Sequence, residues 1–239
     1  MPSPVFGNAK DTGLQGGDPT FGADLNELWY VVQAMSKDLQ SAKQSAAGMP
    51  YFDEPRQASV VLNGDEGHPA LTANGELMAF ASIGNAAKKV YLAQRPPFES
   101  TFSAISESLI QLNDSFAGLD MSQDGLRLYV IDGTNLLIYT HATATERFTL
   151  SKTIPLPATK PRDVSVSSNE SEILFNDPAA GGRIVHARLS ADGLRYENPT
   201  AFQVGEPCST SFADANFSND NNTVVYTCDG NIHIASRIR

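Results

Sequence analysis

The stretch "LTANGELMAF" (71–80) reads as the end of one strand, a tight turn and a second strand. The chain says the same thing again as "MSQDGLRLYV" (121–130), "VSSNESEILF" (166–175) and "FSNDNNTVVY" (217–226). The apolar residues that end the first strand of each unit, Leu71, Met121, Val166 and Phe217, are spaced by 50, 45 and 51 residues. Counting 50 residues back from Leu71 reaches Phe21 in "DPTFGADLNELWYV", so there are five units. A period of this length marks repeat architectures, in which no unit can bury its apolar face alone.

Within each unit the pattern is a short strand, a turn rich in Asn, Asp and Gly, a second strand, a loop of small residues, and two more strands. The third strands are expected at 38–43, 89–95, 135–140, 183–189 and 231–236, and the fourth at 58–63, 108–113, 151–156 and 199–204. Near-twofold alternation and enrichment in Val, Ile, Tyr and Phe favour strands over helices. One fourth strand is missing, because the chain stops 22 residues after Phe217, yet "FGNAKDTGLQ" (6–15) stands ahead of unit one. The two ends together make about one period. The prediction is therefore an all-β, five-bladed β-propeller of four-stranded blades, with the N-terminal strand closing the last blade. Its units are about 16–63, 64–113, 114–157, 158–205 and 206–239 plus the closing strand 5–15, one propeller over 1–239. A pair of β-sandwiches would have turns as frequent but no fixed long period.

Composition removes several functions. With 27 acidic against 17 basic residues and a net charge of −10, the surface repels phosphate backbones and anionic lipid, which argues against nucleic acid as a partner. No apolar run reaches the roughly 18 residues that span a bilayer. "MPSPVFGNAK" has neither the basic nor the apolar region of a signal peptide, and it leads directly into a strand as an expression boundary would.

The pattern of aspartate-proline, a small residue, an apolar residue, Ser or Thr, any residue, Asp or Asn, Gly, two residues of any kind, an apolar or aromatic residue, and then a strand ending Ala-x-Arg is quoted best in "HPALTANGELMAFAS…VYLAQRPPF" (68–98), "LDMSQDGLRLYVID" (119–132) and "DANFSNDNNTVVYTCDGNIHIASR" (214–237). It resembles the WD-repeat-like propeller repeat of TolB-type proteins, over nearly the whole chain. The resemblance implies a propeller of the kind found in periplasmic protein-binding domains, peptidase side domains and secreted bacterial proteins. Unit one departs at its turn (Gly22-Ala23-Asp24-Leu25), as does unit four (Asn169-Glu170-Ser171).

In a propeller the first strand of each blade lines the central channel, so the residues at its mouth are candidate site residues. Across the units these are Asp18, His68, Gly118, Asp163 and Asp214, followed two residues on by Thr20, Ala70, Asp120, Ser165 and Asn216. Asp65, Glu66, Asp114, Asp132, Asp177 and Asp229 are expected on the same face, with Lys160 and Arg162 among them. The candidate ligand-binding set is Asp18, His68, Asp120, Asp163, Asp214, Asn216 and Arg162. Such aspartates tie neighbouring blades by accepting backbone hydrogen bonds, or converge on a cation, an amine or sugar hydroxyls.

Three functions follow, in order. The first is a non-catalytic recognition propeller that binds a protein partner through its loop face, as a monomeric fold unit outside the cytoplasm (periplasmic or extracellular). The second is a lectin-like propeller using aromatics such as Trp29, Tyr51 and Phe98, although Phe52, Phe98 and Phe148 precede fourth strands, where packing between blades suits them better. The third is a glycoside hydrolase using Asp18, Asp163 and Asp214, discriminated by a carboxyl pair titrating well above normal. No cofactor motif is found, and with two cysteines and no close histidine pair a structural zinc site is not expected. His186 and His233 fall in third strands and read as edge-strand residues, while His141 follows a strand into a loop. Cys208 and Cys228 come to one end of blade five, where a disulfide is geometrically feasible and suits an oxidising compartment.

Overall fold

The structure is a computed structural model and describes residues 5–7, 9–23, 25–33, 37–44, 52–53, 55–58, 65–82, 88–97, 99, 101–142, 147–204, 208 and 212–238. Five four-stranded antiparallel sheets make the blades of a β-propeller. Blade 1 is Gly17–Phe21, Glu27–Gln33, Lys37–Lys43 and Arg56–Gln57; blade 2 is Glu66–Leu71, Leu77–Ser82, Lys89–Gln94 and Ala104–Gln111. Blade 3 is Phe116–Met121, Arg127–Asp132, Asn135–Thr140 and Thr149–Pro155; blade 4 is Arg162–Val166, Glu172–Asp177, Arg183–Leu189 and Tyr196–Ala201. Blade 5 takes three strands from the C-terminal end, Phe212–Phe217, Thr223–Cys228 and Asn231–Ser236, and its fourth from the N-terminal end, Lys10–Gln15. The first strands touch one another in sequence around the axis, blade 5 returning to blade 1. Among the described residues the one helical turn is Pro178–Ala180.

The second strands explain why the sheets stand side by side. Each is buried on both faces, and its period of two sends alternate residues to opposite seams. Leu28 and Tyr30 pack with Val225 and Ile232 of blade 5, whereas Trp29 and Val31 pack with Met78 and Phe80 of blade 2. Leu128 and Val130 face blade 2, while Tyr129 and Ile131 face blade 4. The buried apolar residues thus form five clusters, one in each seam. Each fully buried Leu, Phe or Val in them contributes about 1.5–3 kcal/mol of transfer free energy.

The turn after each first strand is built as its residues dictate. In blade 3 the Ser122 hydroxyl donates to Asp124 Oδ1 (2.5 Å), which also accepts from the Leu126 N–H (3.0 Å), and Gly125 takes the left-handed conformation (φ 73°) that the turn requires.

Closure is more elaborate than one strand. Lys10–Gln15 pairs antiparallel with Asn231–Ser236 (Lys10 opposite Ile234, Gln15 opposite Asn231), but Val5–Phe6 leaves the blade and pairs parallel with Gln203–Val204. The Gly7 N–H donates to the Ser236 carbonyl (2.7 Å) and the Ile238 N–H to that of Val5 (2.8 Å). The outer strands also begin two to four residues before their expected starts, at Ala104, Thr149 and Tyr196. In Thr149–Pro155 only Ile154 is buried, so the apolar signal marks the end of an otherwise exposed strand. Of the strand expected at 58–63 only Ala58 lies within the described residues; its N–H donates to the Leu39 carbonyl (2.9 Å), and the pairing strand is Arg56–Gln57. His186 and His233 are not edge residues, because a fourth strand covers each third strand; His186 is buried beside Glu172 and His233 stacks on Tyr226. His141 is buried, stacked on Phe148, with Nε2 2.8 Å from the Gly125 carbonyl. Cys208 and Cys228 form a disulfide, their Cα atoms 5.4 Å apart.

Candidate functional site

Four blades place a side chain on the axis by the same local device. Asp18, His68, Asp163 and Asp214 all adopt left-handed backbone conformations, with φ of 48°, 52°, 51° and 53°. Each lies within a register shift of its first strand, between Gly17 and Thr20, Gly67 and Ala70, Arg162 and Ser165, and Ala213 and Asn216. A bulge of this kind re-aims one side chain without ending the strand, and Asp and His tolerate the left-handed region better than most residues. Blade 3 departs: its shift falls between Phe116 and Gly118. A Cβ on Gly118 would stand 2.9 Å from the Asp163 amide nitrogen, so only glycine lets blade 4 approach there.

The four side chains form a ring. The Asp18 N–H donates to Asp214 Oδ2 (3.1 Å) and the His68 N–H to Asp18 Oδ2 (3.2 Å), so blades 5, 1 and 2 are tied in series. His68 Nδ1 lies 3.4 Å from Asp18 Oδ1 and 3.8 Å from Asp163 Oδ1 across the axis, and the side chains of the three are only 15%, 17% and 16% exposed. The Phe116 ring stands perpendicular to the imidazole at a centroid distance of 5.3 Å. Burial first, then the charges of Asp214 and Asp18, hold the Asp163 carboxyl well above the usual carboxylate range. Burial and the charge of Asp18 raise Asp214 as well, and Asp163 and Asp214 perturb one another. One ligand atom each from Asp18, His68 and Asp163 can be chosen so that all lie within 4.8 Å of one another, the spacing of a metal-binding set.

The ring is the floor of a funnel of about 950 Å³, whose wall includes Asp114, Ser115, Phe116, Lys160, Arg162 and Asn176. Beneath it is a void of about 20 Å³ that the four ring residues share with Leu119 and Asn216. Farther along the axis is a second small void of about 30 Å³ around Asp120, Tyr129, Ser165 and Asn216, and there the turns are stitched together. The Gln123 amide donates to the Asn219 carbonyl (2.5 Å), Asn219 Nδ2 reaches the carbonyls of Ala23 and Ala73 (3.4 Å each), and the Ala73 N–H donates to the Gln123 carbonyl (3.0 Å). The axis is a well, open at one end.

Of the seven candidates, Asp18, His68, Arg162, Asp163 and Asp214 line the funnel, and Asp120 and Asn216 do not. Two residues of strand carry a side chain about 7 Å down the channel. Asp120 is buried there, accepts the Val166 N–H of blade 4 (2.6 Å) and the Met121 N–H (2.7 Å), and is raised to about 7 by burial against those two hydrogen bonds. Of the other acids expected on this face, Asp114 alone lines the funnel; Glu66 and Asp177 are buried, and Asp177 caps the Pro178–Ala180 turn. Trp29, expected as an exposed aromatic, is 1% exposed and packs edge-on against Phe102. Tyr51 and Phe98 lie outside the described residues. Gln123 and Asn219 are not among the candidates; their signal in the sequence is an amide side chain at the second position of the repeated turn, where other units have Ala or Ser.

No family model matches the chain, and neither does the sequence of any curated protein. Solved structures do match in fold. TolB from Acinetobacter baumannii aligns with a TM-score of 0.53 at 13% identity, over 93% of this chain and 54% of its own. A periplasmic gluconolactonase from Pseudomonas aeruginosa aligns at 0.52 and 12%, over 93% of this chain and 64% of its own. A gluconolactonase from Xanthomonas campestris aligns at 0.54 and 14%, over 89% and 69%. The chain thus spans about half of TolB and about two thirds of the gluconolactonases. Likeness at this identity is likeness of fold, and function must be argued from the site.

Proposed function

We propose that the chain is a recognition propeller that binds a protein partner at the mouth of the funnel, outside the cytoplasm. The observation that carries this reading is the asymmetry of the axis. One end has its polar turn groups hydrogen-bonded to one another, while the other opens into a wide funnel with unlike charges on its wall, Asp114 against Lys160 and Arg162. Mixed charge at a concave mouth suits a polar protein surface with a side chain that can enter. The compartment reading rests on the Cys208–Cys228 disulfide, and the periplasmic gluconolactonase among the similar folds agrees with it.

A hydrolytic reading has one observation in its favour, the raised Asp163 and Asp214 carboxyls. Glycosidases of both stereochemical classes, however, keep their two carboxyls about 5–9 Å apart to admit the sugar or a water. Here the two carboxyls shift one another by direct interaction rather than across such a gap. The lectin reading loses its one described aromatic, because Trp29 is core.

The test is site-specific photocrosslinking in the native envelope, with the photoreactive residue at Lys160 or Asp114 on the funnel and at Asp124 or Asp220 on the stitched end. A discrete protein adduct from the funnel positions alone is the expected result. Adducts from the stitched end alone, or adducts from neither together with specific binding on a glycan array, would replace this reading.

A further inference from the structure

We propose that Asp18, His68 and Asp163 form a binding site for a divalent transition-metal ion at the floor of the funnel, with Asp214 completing its anionic surround. The inference goes beyond partner binding and does not depend on it. Its basis is the spacing of the donors. His68 Nδ1 is 3.4 Å from Asp18 Oδ1 and 3.8 Å from Asp163 Oδ1, beyond the usual range of an N–H···O hydrogen bond. Among the described residues the imidazole hydrogen-bonds neither carboxylate, though it points between them. Atoms bound to one ion at about 2.1 Å in a tetrahedral arrangement are roughly 3.4 Å from each other. The Asp18–His68 separation matches that figure, the His68–Asp163 separation exceeds it by 0.4 Å, and all three donors can lie within 4.8 Å of one another.

The supports of the donors agree. Asp18 Oδ2 accepts the His68 N–H, which fixes the carboxylate and leaves Oδ1 toward the axis, and the perpendicular Phe116 ring fixes the imidazole plane. Groups that orient ligands in this way are a regular part of metal sites. All four ring residues border both the funnel and the ion-sized void of about 20 Å³ below it, so a bound ion would keep a coordination position facing the funnel. One imidazole among carboxylates selects a first-row divalent ion such as zinc or manganese over calcium or magnesium, which prefer all-oxygen sites. Three donors from three blades, 50 and 95 residues apart, escape any search for ligands close in sequence.

The test is calorimetric titration of metal-depleted protein with zinc, manganese and calcium salts. We expect one equivalent of zinc per chain, calcium binding at least tenfold weaker, and a loss of about tenfold or more in zinc affinity in both His68→Asn and Asp163→Asn. Asparagine is chosen because it accepts the left-handed conformation of both positions. Cobalt-loaded wild type supplies a readout that needs no variant to fold, namely one hyperfine-shifted imidazole N–H resonance that disappears on adding zinc. No zinc uptake by the folded chain, unchanged affinity in both variants (an adventitious ion only), or absence of the shifted imidazole resonance would each overturn the proposal.

Discussion

The two ends of the channel are made from equivalent positions of the same five repeats, and they are built to opposite purposes. At the closed end polar side chains tie the blades together: Gln123 and Asn219 bridge the turns, and arginines meet glutamates between blades. At the open end three carboxylates crowd one imidazole, and two of them are pushed up by burial and by one another. The repeat places its charged ties between blades at one end and its crowded carboxylates at the other. If so, substitutions at the closed end should cost stability, and substitutions at the mouth should cost little or even stabilise.

The largest effect is expected at Arg95. Its guanidinium meets both oxygens of Glu27 in blade 1 (3.1 and 2.8 Å), donates to the Gly75 carbonyl (2.5 Å) and lies over the Phe102 ring at 4.9 Å. Both side chains are at least nine-tenths buried. Arg95→Ala leaves the Glu27 charge buried without its partner, which costs about 3–5 kcal/mol, readable as a fall in the urea midpoint. A cost below about 1 kcal/mol would break the comparison at its strong end.

Glu172 is the same device two seams away, between blades 4 and 5. Its carboxylate has His186 Nε2 at 3.6 Å and Arg237 Nη2 at 2.6 Å, and these hold it down at about 2; the shorter Arg237 contact is the stronger. A carboxyl lowered on folding contributes stability that is present above its unfolded value and lost as pH falls through its folded value. The wild type minus Glu172→Gln difference should therefore be about 2 kcal/mol at pH 6 and shrink away between about pH 4.5 and 2. A difference independent of pH would remove the ion pair from the account.

How much of this was legible in the sequence depends on which physical signal each feature leaves. The five blades show because turn residues and two-sided apolar strands recur at a fixed period. The Ala-x-Arg ending of the third strand was visible too, and its meaning is now plain: Arg95 and Arg237 each reach the first residue of the preceding blade's second strand, Glu27 and Glu172. The mouth ring followed from aligning equivalent positions, but the bulges that aim it did not, since a left-handed Asp or His looks like any other. Asp120 aligns with the mouth in sequence yet lies deeper, because spacing along a strand gives a face and not a depth. The splitting of the N-terminal segment into a blade strand and a parallel pairing at Val5–Phe6 leaves no local signal at all. It depends on where residues 203–204 end up.

Gln123 sharpens the comparison at a smaller scale. Its amide crosses the axis to the Asn219 carbonyl, while Asn219 reaches back to Ala73. Gln123→Ala removes one of these bridges and leaves its neighbours to water, so a cost of about 1 kcal/mol in thermal or urea unfolding is expected, without a change in metal affinity at the far floor.

The smallest expected effect carries the most discrimination, because its sign is reversed. Asp163 is held above its ordinary range by burial and by Asp214 and Asp18. A carboxyl raised on folding is favoured when protonated, so it costs nothing below the unfolded value near pH 4 and weighs increasingly on the fold as pH rises through its folded value. Asp163→Asn removes that charge while retaining the shape and the tolerance of a left-handed backbone. Metal-depleted Asp163→Asn protein should match wild type at pH 4 and exceed it by about 1 kcal/mol at pH 8, a few degrees in melting temperature. Zinc should then reverse the order at pH 8, because the wild type gains an ion that binds only the folded state and the variant gains little. A variant less stable than wild type at both pH values would mean that Asp163 is one more tie between blades, and the two ends of the channel would no longer differ in kind.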